Sequence, residues 1–175
     1  MSILPKDYEM PKSRSAYMKF DEGDSTFRVL TNAIVGFEYW KEEGKKRTPI
    51  RVRTYDELPD EIKNATDPRN RGKHFWMFVV LNKELGDVQI LELTQAGLQR
   101  LMKGLEDSEA WGDLRDYDVT ITRTNGTSPM DVKYSLLPQP KAKLSKEMQK
   151  LIDERLAQIN LDLIFDGESP FITKE

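Results

Sequence analysis

The 175-residue chain has no cysteine, so neither a disulfide framework nor a thiolate metal site can form, and a reducing compartment suits it. Its single histidine, His74, excludes any site that needs two imidazoles. No apolar run approaches the roughly 20 residues of a membrane span, and residues 1–12 lack the apolar centre of a secretory signal. Neither a phosphate-cradling GxxxxGK(S/T) loop nor a GxSxG elbow occurs. Asp and Glu are plentiful, but they fall in turns, on helix faces and in the tail, without the converging spacing that metal-assisted phosphodiester hydrolysis needs. These absences point away from an enzyme and towards a cytoplasmic binding protein that uses no cofactor and no metal.

Net charge is −3 and the isoelectric point about 5.4, which taken as a sum speaks against a polyanionic partner. The charge is unevenly spread, however, and its local pattern carries more information.

The most distinctive stretch is His74–Thr94. Two apolar, aromatic and β-branched runs, His74–Asn82 and Asp87–Thr94, flank a turn in which Gly86 can take positive φ. Phe75, Met77, Val79 and Leu81 form one apolar set; Trp76, Phe78 and Val80 form the other. A strand exposed on one side would alternate apolar with polar, so this hairpin needs cover on both faces. The cover can be the chain itself, a second subunit of a homo-oligomer, or a ligand with flat rings.

Around it the pattern predicts a polar arm over 1–19 and a long strand over Phe27–Trp40, with a bend near Thr31–Ala33 or Gly36. Lys41–Lys73 reads as a long basic connection, with Ile50–Thr54 as a short strand carrying Arg51 and Arg53 on one side. Gln95–Glu109 has the spacing of an amphipathic helix capped by Thr94. Strands follow at Tyr117–Thr124 and Asp131–Leu137, the latter ended by Pro138 and Pro140, then a helix over Ser145–Ile159 and an acidic tail over 161–175.

The expected class is therefore mainly β. The element order is that of a five-stranded OB-fold Greek-key barrel over 20–140, with one helix between strands 3 and 4 and a C-terminal helix over 141–160. In that fold the ligand crosses the second and third strands and is flanked by the loop after the first.

The residues also resemble a family. The segments YMKFDEG (17–23), FRVL and GFEYW (within 27–40), HFWMFVVLN (74–82), VQILELTQ (88–95), WGDLRDYDVTI (111–121) and LDLIFDGESPF (161–171) are similar to the single-stranded-DNA-binding proteins of tailed bacteriophages. That resemblance implies single-stranded DNA held across the barrel, in replication or recombination within the host cytoplasm.

The candidate nucleic-acid-binding residues are of two kinds. Tyr39, Trp40, His74, Trp76 and Phe78 are rings on which bases could stack, at about 1–3 kcal/mol per base. Lys45, Lys46, Arg47, Arg51, Arg53, Arg69, Arg71 and Lys73 are cations that could meet phosphates and release counterions, giving salt-sensitive and sequence-independent affinity. Each has a bland alternative, a core aromatic or a solvated charged loop. Trp111 reads as a structural plug. In the tail, Asp166, Glu168, Pro170 and Phe171 resemble the acidic docking tip by which single-strand binders recruit replication or recombination proteins, although Ile172–Glu175 follow the phenylalanine. The alternative functions are a protein-interaction adaptor using the aromatic face and, behind it, a nuclease-like enzyme.

Overall fold

Strands account for most of the regular secondary structure among the described residues: β1 (Gly23–Val29), β2 (Ile34–Glu43), β3 (Lys46–Val52), β4 (Lys73–Asn82), β5 (Asp87–Leu93), β6 (Tyr117–Asn125) and β7 (Val132–Lys141). The helices are α1 (Asp60–Lys63), α2 (Ala96–Glu106) and α3 (Lys146–Leu156), with short 3-10 turns between. The computed structural model describes residues 16–172 and residue 3; most of the expected arm, and residues 173–175 of the tail, lie outside the described residues. No helix among the described residues is long and apolar enough to cross a membrane.

The fold is mainly β, seven antiparallel strands in one open sheet. The order is β3-β2-β4-β1-β6-β7, with β5 paired to the other edge of β4. Seven strands replace the expected five for two reasons. The predicted 27–40 strand breaks between β1 and β2, and both halves pair with β4, as Val29 with Val80 and Gly36 with Phe75. Thr31 bridges the break by accepting the Val79 amide on its hydroxyl. The basic connection also contributes β3, which returns along β2 as a hairpin; Pro49 is tolerated because β3 is an edge strand and loses no ladder bond that matters.

Two further boundaries differ from expectation. β7 runs through Pro138 and Pro140 to Lys141, again because it lies at an edge. α2 starts at Ala96, so Gln95 rather than Thr94 is its N-cap position, and no side chain caps it. The helix is clamped instead by buried Gln99, whose amide donates to the carbonyls of Leu93 (2.8 Å) and His74 (3.3 Å).

Both faces of the β4–β5 hairpin are covered by the chain itself. On the inner face Phe78, Val80, Leu91 and Leu93 pack with Phe27, Val119, Ile121 and, from α2, Leu98 and Met102. On the outer face Phe75, Met77, Val79 and Ile90 pack with Ile164, and Leu156, Ile159, Phe165, Phe171 and Tyr17 close over them. α3, capped by Ser145, and the segment after it form this second layer. The segment is tied back by Asn160 N–H to Pro170 O (2.8 Å) and Ile172 N–H to Gln158 O (2.7 Å). Gly36 lies where this layer comes closest: a Cβ there would collide with the Val52 carbonyl and press on the rings of Phe75 and Phe165.

Candidate nucleic-acid interface

Antiparallel partners share a face, so the β2–β4 register sorts the predicted residues. Glu38, Trp40 and, across β3, Arg51 lie on the outer side; Val35, Phe37, Tyr39, His74 and Trp76 lie on the inner side. Phe78 is on the inner side too, but it is 2 % exposed within the first core. At that exposure a base cannot stack flat on it, which argues against its place among the stacking candidates; a large aromatic mid-strand under a helix is core.

Two of the predicted outer-side cations, Arg51 and Arg53, are engaged within the fold. Arg51 is mostly buried between two carboxylates, with Nη2 3.1 Å from Glu92 and Nε 3.4 Å from Glu38. Burial, reinforced by the neighbouring Glu38 carboxyl, pushes the Glu92 carboxyl up to about 8. A proton on Glu92 lets the two acids share a hydrogen bond that two carboxylates could not make. Arg53 stacks over the Phe165 ring at 4.1 Å and reaches Asp162 at 3.4 Å. Arg51 and Arg53 thus hold the sheet and the C-terminal layer together, and their guanidinium groups are already engaged. Arg71 is likewise spent on the carbonyls of Ala65 (2.9 Å) and Thr66 (3.3 Å). The side chain of Arg69 lies outside the described residues.

Beyond Glu38, β2 and β3 continue as a two-stranded ribbon past the end of β4. Lys45, Lys46 and Arg47 are exposed at its tip, and Arg47 lies 5.1 Å over the ring of Trp40, itself 42 % exposed. Lys73 is exposed at the start of β4. Trp40 and Arg47 lie on the other side of the ribbon from Tyr39, whereas Lys46, opposite Glu43, is on Tyr39's side.

The inner side carries the longest run of accessible rings. His74 packs against Phe37 with ring centroids 5.0 Å apart and tilted by 44°, its Nδ1–H donating to the Gly36 carbonyl (3.0 Å). Tyr55 meets Phe37 edge-on at 5.7 Å and is 52 % exposed, with the Lys63 ammonium 5.6 Å from its ring. Tyr39 extends the row towards the ribbon, and Val35, 51 % exposed, pairs with half-buried Trp76 at the other end. Trp76 and Val35 then form one wall of a cleft of about 410 Å³ under α2, with Phe78, Met102 and Leu114 and a rim including Lys103 and Arg115. Of this row the sequence singles out Tyr39, His74 and Trp76 as candidates but not Phe37, Val35 or Tyr55, whose places follow from the β2–β4 pairing and from the turn after β3.

The tail is packed rather than free. Pro170 is buried, and Phe171 meets Tyr17 edge-on at 6.1 Å within the outer core; of the four predicted tail residues Asp166 and Glu168 are exposed. Trp111 is half-buried against Tyr117, at 5.4 Å. Among the described residues no three His, Asp or Glu side chains converge as a metal site.

Fold and site together define a mainly β domain with an aromatic surface on one side and a self-covered face on the other. No protein-family model matches the chain, and no curated protein matches it.

Proposed function

We propose that the protein binds single-stranded DNA without strong sequence preference, protecting transient single strands in replication or recombination. The observation that carries this reading is the row Tyr39, Phe37–His74, Tyr55 and Val35–Trp76 on one side of β2 and β4, half open to solvent and ending in an apolar cleft. Such a platform suits bases, which all have a π face, and is indifferent to their identity. Lys63 over Tyr55 supplies positive charge beside the row, and Lys46, opposite Glu43, stands on the same side at the ribbon tip.

The strand pairing supports an OB-type barrel. β1 and β2 taken as one bent strand pair with β4, β4 with β5, β1 with β6 and β6 with β7, and α2 joins β5 to β6. Among the described residues β5 and β7 do not pair, so the barrel is open there, and the β2–β3 ribbon is an elaboration of its first long connection. The outer face of the second and third barrel strands is filled by α3 and the tail, so DNA in this reading follows the inner side of β2 and β4.

A protein-adaptor role is favoured by the net charge of −3 and by the engagement of Arg51, Arg53 and Arg71 within the fold. Titration with oligo-dT separates the two. Single-strand binding quenches tryptophan fluorescence, and added salt reverses the quench; fluorescence indifferent to oligo-dT at low salt would leave the adaptor.

A further inference from the structure

The outer side of β1 borders a cationic cleft that the ring row does not use. In the β1–β4 register Arg28 stands opposite Leu81, on the face of the sheet away from Tyr39, His74 and Trp76. There β1, the turn before β6, the end of β7 and the link into α3 enclose a cleft of about 620 Å³. Arg28, Lys141 and Lys143 line it against one carboxylate, Asp116, and no ring lines it. Such a wall recognises charge rather than a base. Arg115 also borders the cleft, but its guanidinium is taken by Asp113 (2.8 Å) and Asn32 (3.2 Å). Lys141 and Lys143 form no ion pair among the described residues.

Arg28 is 3 % exposed, yet only two of its three nitrogens serve the fold. Nε donates to Asp118 (2.7 Å), and Nη1 to the carbonyls of Ala142 (3.0 Å) and Arg115 (3.3 Å), which fixes the plane of the guanidinium. Nη2 makes no hydrogen bond among the described residues and is not sealed from solvent, so it opens on the cleft that Arg28 lines. Asp118 does not neutralise the arginine alone, because it also lies 3.5 Å from the Lys83 ammonium. A buried cation that shares its counter-ion is stabilised by a further anion. The amides of Lys143 and Leu144, in the link from β7 to α3, likewise donate to no acceptor among the described residues.

We infer that this cleft is a phosphate site, in which the fixed Arg28 Nη2 donates to phosphate oxygens and the Lys141 and Lys143 ammonium groups balance their charge. The phosphate is either the phosphodiester of a bound strand or a free phosphate, since both present the same oxygens. The site does not depend on the ring row, and it stands or falls separately from the single-strand reading above.

The test uses the full chain with inorganic phosphate and with oligo-dT. In nuclear magnetic resonance titrations against chloride at equal ionic strength, phosphate should shift the amides of Ala142, Lys143 and Leu144 saturably. Lys141→Ala with Lys143→Ala, both exposed side chains, should abolish those shifts and leave the thermal melt unchanged. If a strand's backbone is the source, the same variant should flatten the log-log salt slope of oligo-dT binding by about 1.4, as loss of two single-strand phosphate contacts requires. Saturable phosphate shifts with an unaltered slope would assign the cleft to free phosphate, and a flattened slope without them to the strand alone. A chain that ignores oligo-dT would refute single-strand binding only, and the phosphate titration would then decide the cleft. Amides that phosphate does not move, with the slope unaltered or no oligo-dT binding at all, would overturn the site, as would shifts that persist in the double variant.

Discussion

Val35 and Trp76 stand directly opposite each other on β2 and β4, one open to solvent and the other half-buried at the mouth of a cleft. Their pairing is what turns two separate strands into a single aromatic surface. If bases stack there, Trp76→Ala should weaken oligo-dT binding by about 1–3 kcal/mol while leaving the salt slope unaltered, since a ring contributes no counterion release. Titrations at two salt concentrations, with a thermal melt confirming that the variant is folded, measure both. Full affinity without the ring would remove Trp76 from the site.

Phe78, two residues further along the same side of β4, should behave in the opposite way. It is packed among Phe27, Leu91 and Met102, so Phe78→Ala should cost about 3–5 kcal/mol of stability. The protein that remains folded should bind oligo-dT as the parent does. Urea unfolding and a binding isotherm separate the two effects; normal stability with weakened binding would place Phe78 at the surface after all.

The contrast between these two rings shows what the sequence could and could not reveal. Alternation along His74–Asn82 correctly sorted the side chains into two apolar sets, and the turn at Gly86 and the bend after Val29 were visible as local chemistry. What covers each set is a tertiary matter, set by where α2, α3 and the 161–172 segment dock, and no local pattern states it. The β2–β3 hairpin was only partly visible, as the strand end at Trp40 and the short strand expected at Ile50–Thr54. Between them residues 41–48 are polar and Pro49 follows, and only pairing at the sheet edge makes them strand. The arginines misled because a cation in a basic loop looks free until its carboxylate, Glu92 for Arg51 or Asp162 for Arg53, arrives from elsewhere in the chain. Conversely, Arg28, Lys141 and Lys143 are scattered in sequence and meet only in three dimensions.

Arg51 yields a prediction about stability rather than binding. Replacing it with alanine leaves Glu38 and Glu92 facing each other, half-buried and without their shared cation. Loss of one partner of such a group costs about 3–5 kcal/mol when fully buried, and about half that is expected here given the residual solvent access. Chemical denaturation should show the drop, whereas the salt slope of DNA binding should stay as it was. A flattened slope with unchanged stability would return Arg51 to the phosphate-contacting set.

Glu92 makes that stability depend on pH. Its folded value of about 8 lies above the ordinary 4.5, so the folded chain holds a proton that the unfolded chain releases between those limits. The stabilisation is therefore complete below about 4.5 and is lost as pH rises towards 8. Glu92→Gln keeps the neutral form at every pH and should flatten this part of the melting-temperature profile. Thermal melts across the window decide; parallel profiles for the two proteins would mean that Glu92 ionises normally in the fold.

Ending the chain at Asn160 separates a tail that competes with DNA from one that holds the fold. A competing tail would, when removed, leave a stable barrel that binds oligo-dT more tightly. The packing argues for the second outcome. Ile164 is 3 % exposed on the outer core, Phe165 lies 6.1 Å from Phe75, and the Arg53 guanidinium lies 4.1 Å over the Phe165 ring. Removing Ile164 and Phe165 alone forfeits about 1.5–3 kcal/mol of burial for each, and it uncovers Phe75 and Met77. The truncated chain should therefore unfold at lower urea, bind an apolar dye and gain no affinity for oligo-dT. Asp166→Asn with Glu168→Gln isolates charge from packing, because both side chains are exposed. That variant should keep the parent's stability and affinity, and tighter binding by it would show that the acidic residues, rather than the apolar ones, contend with DNA for the cations.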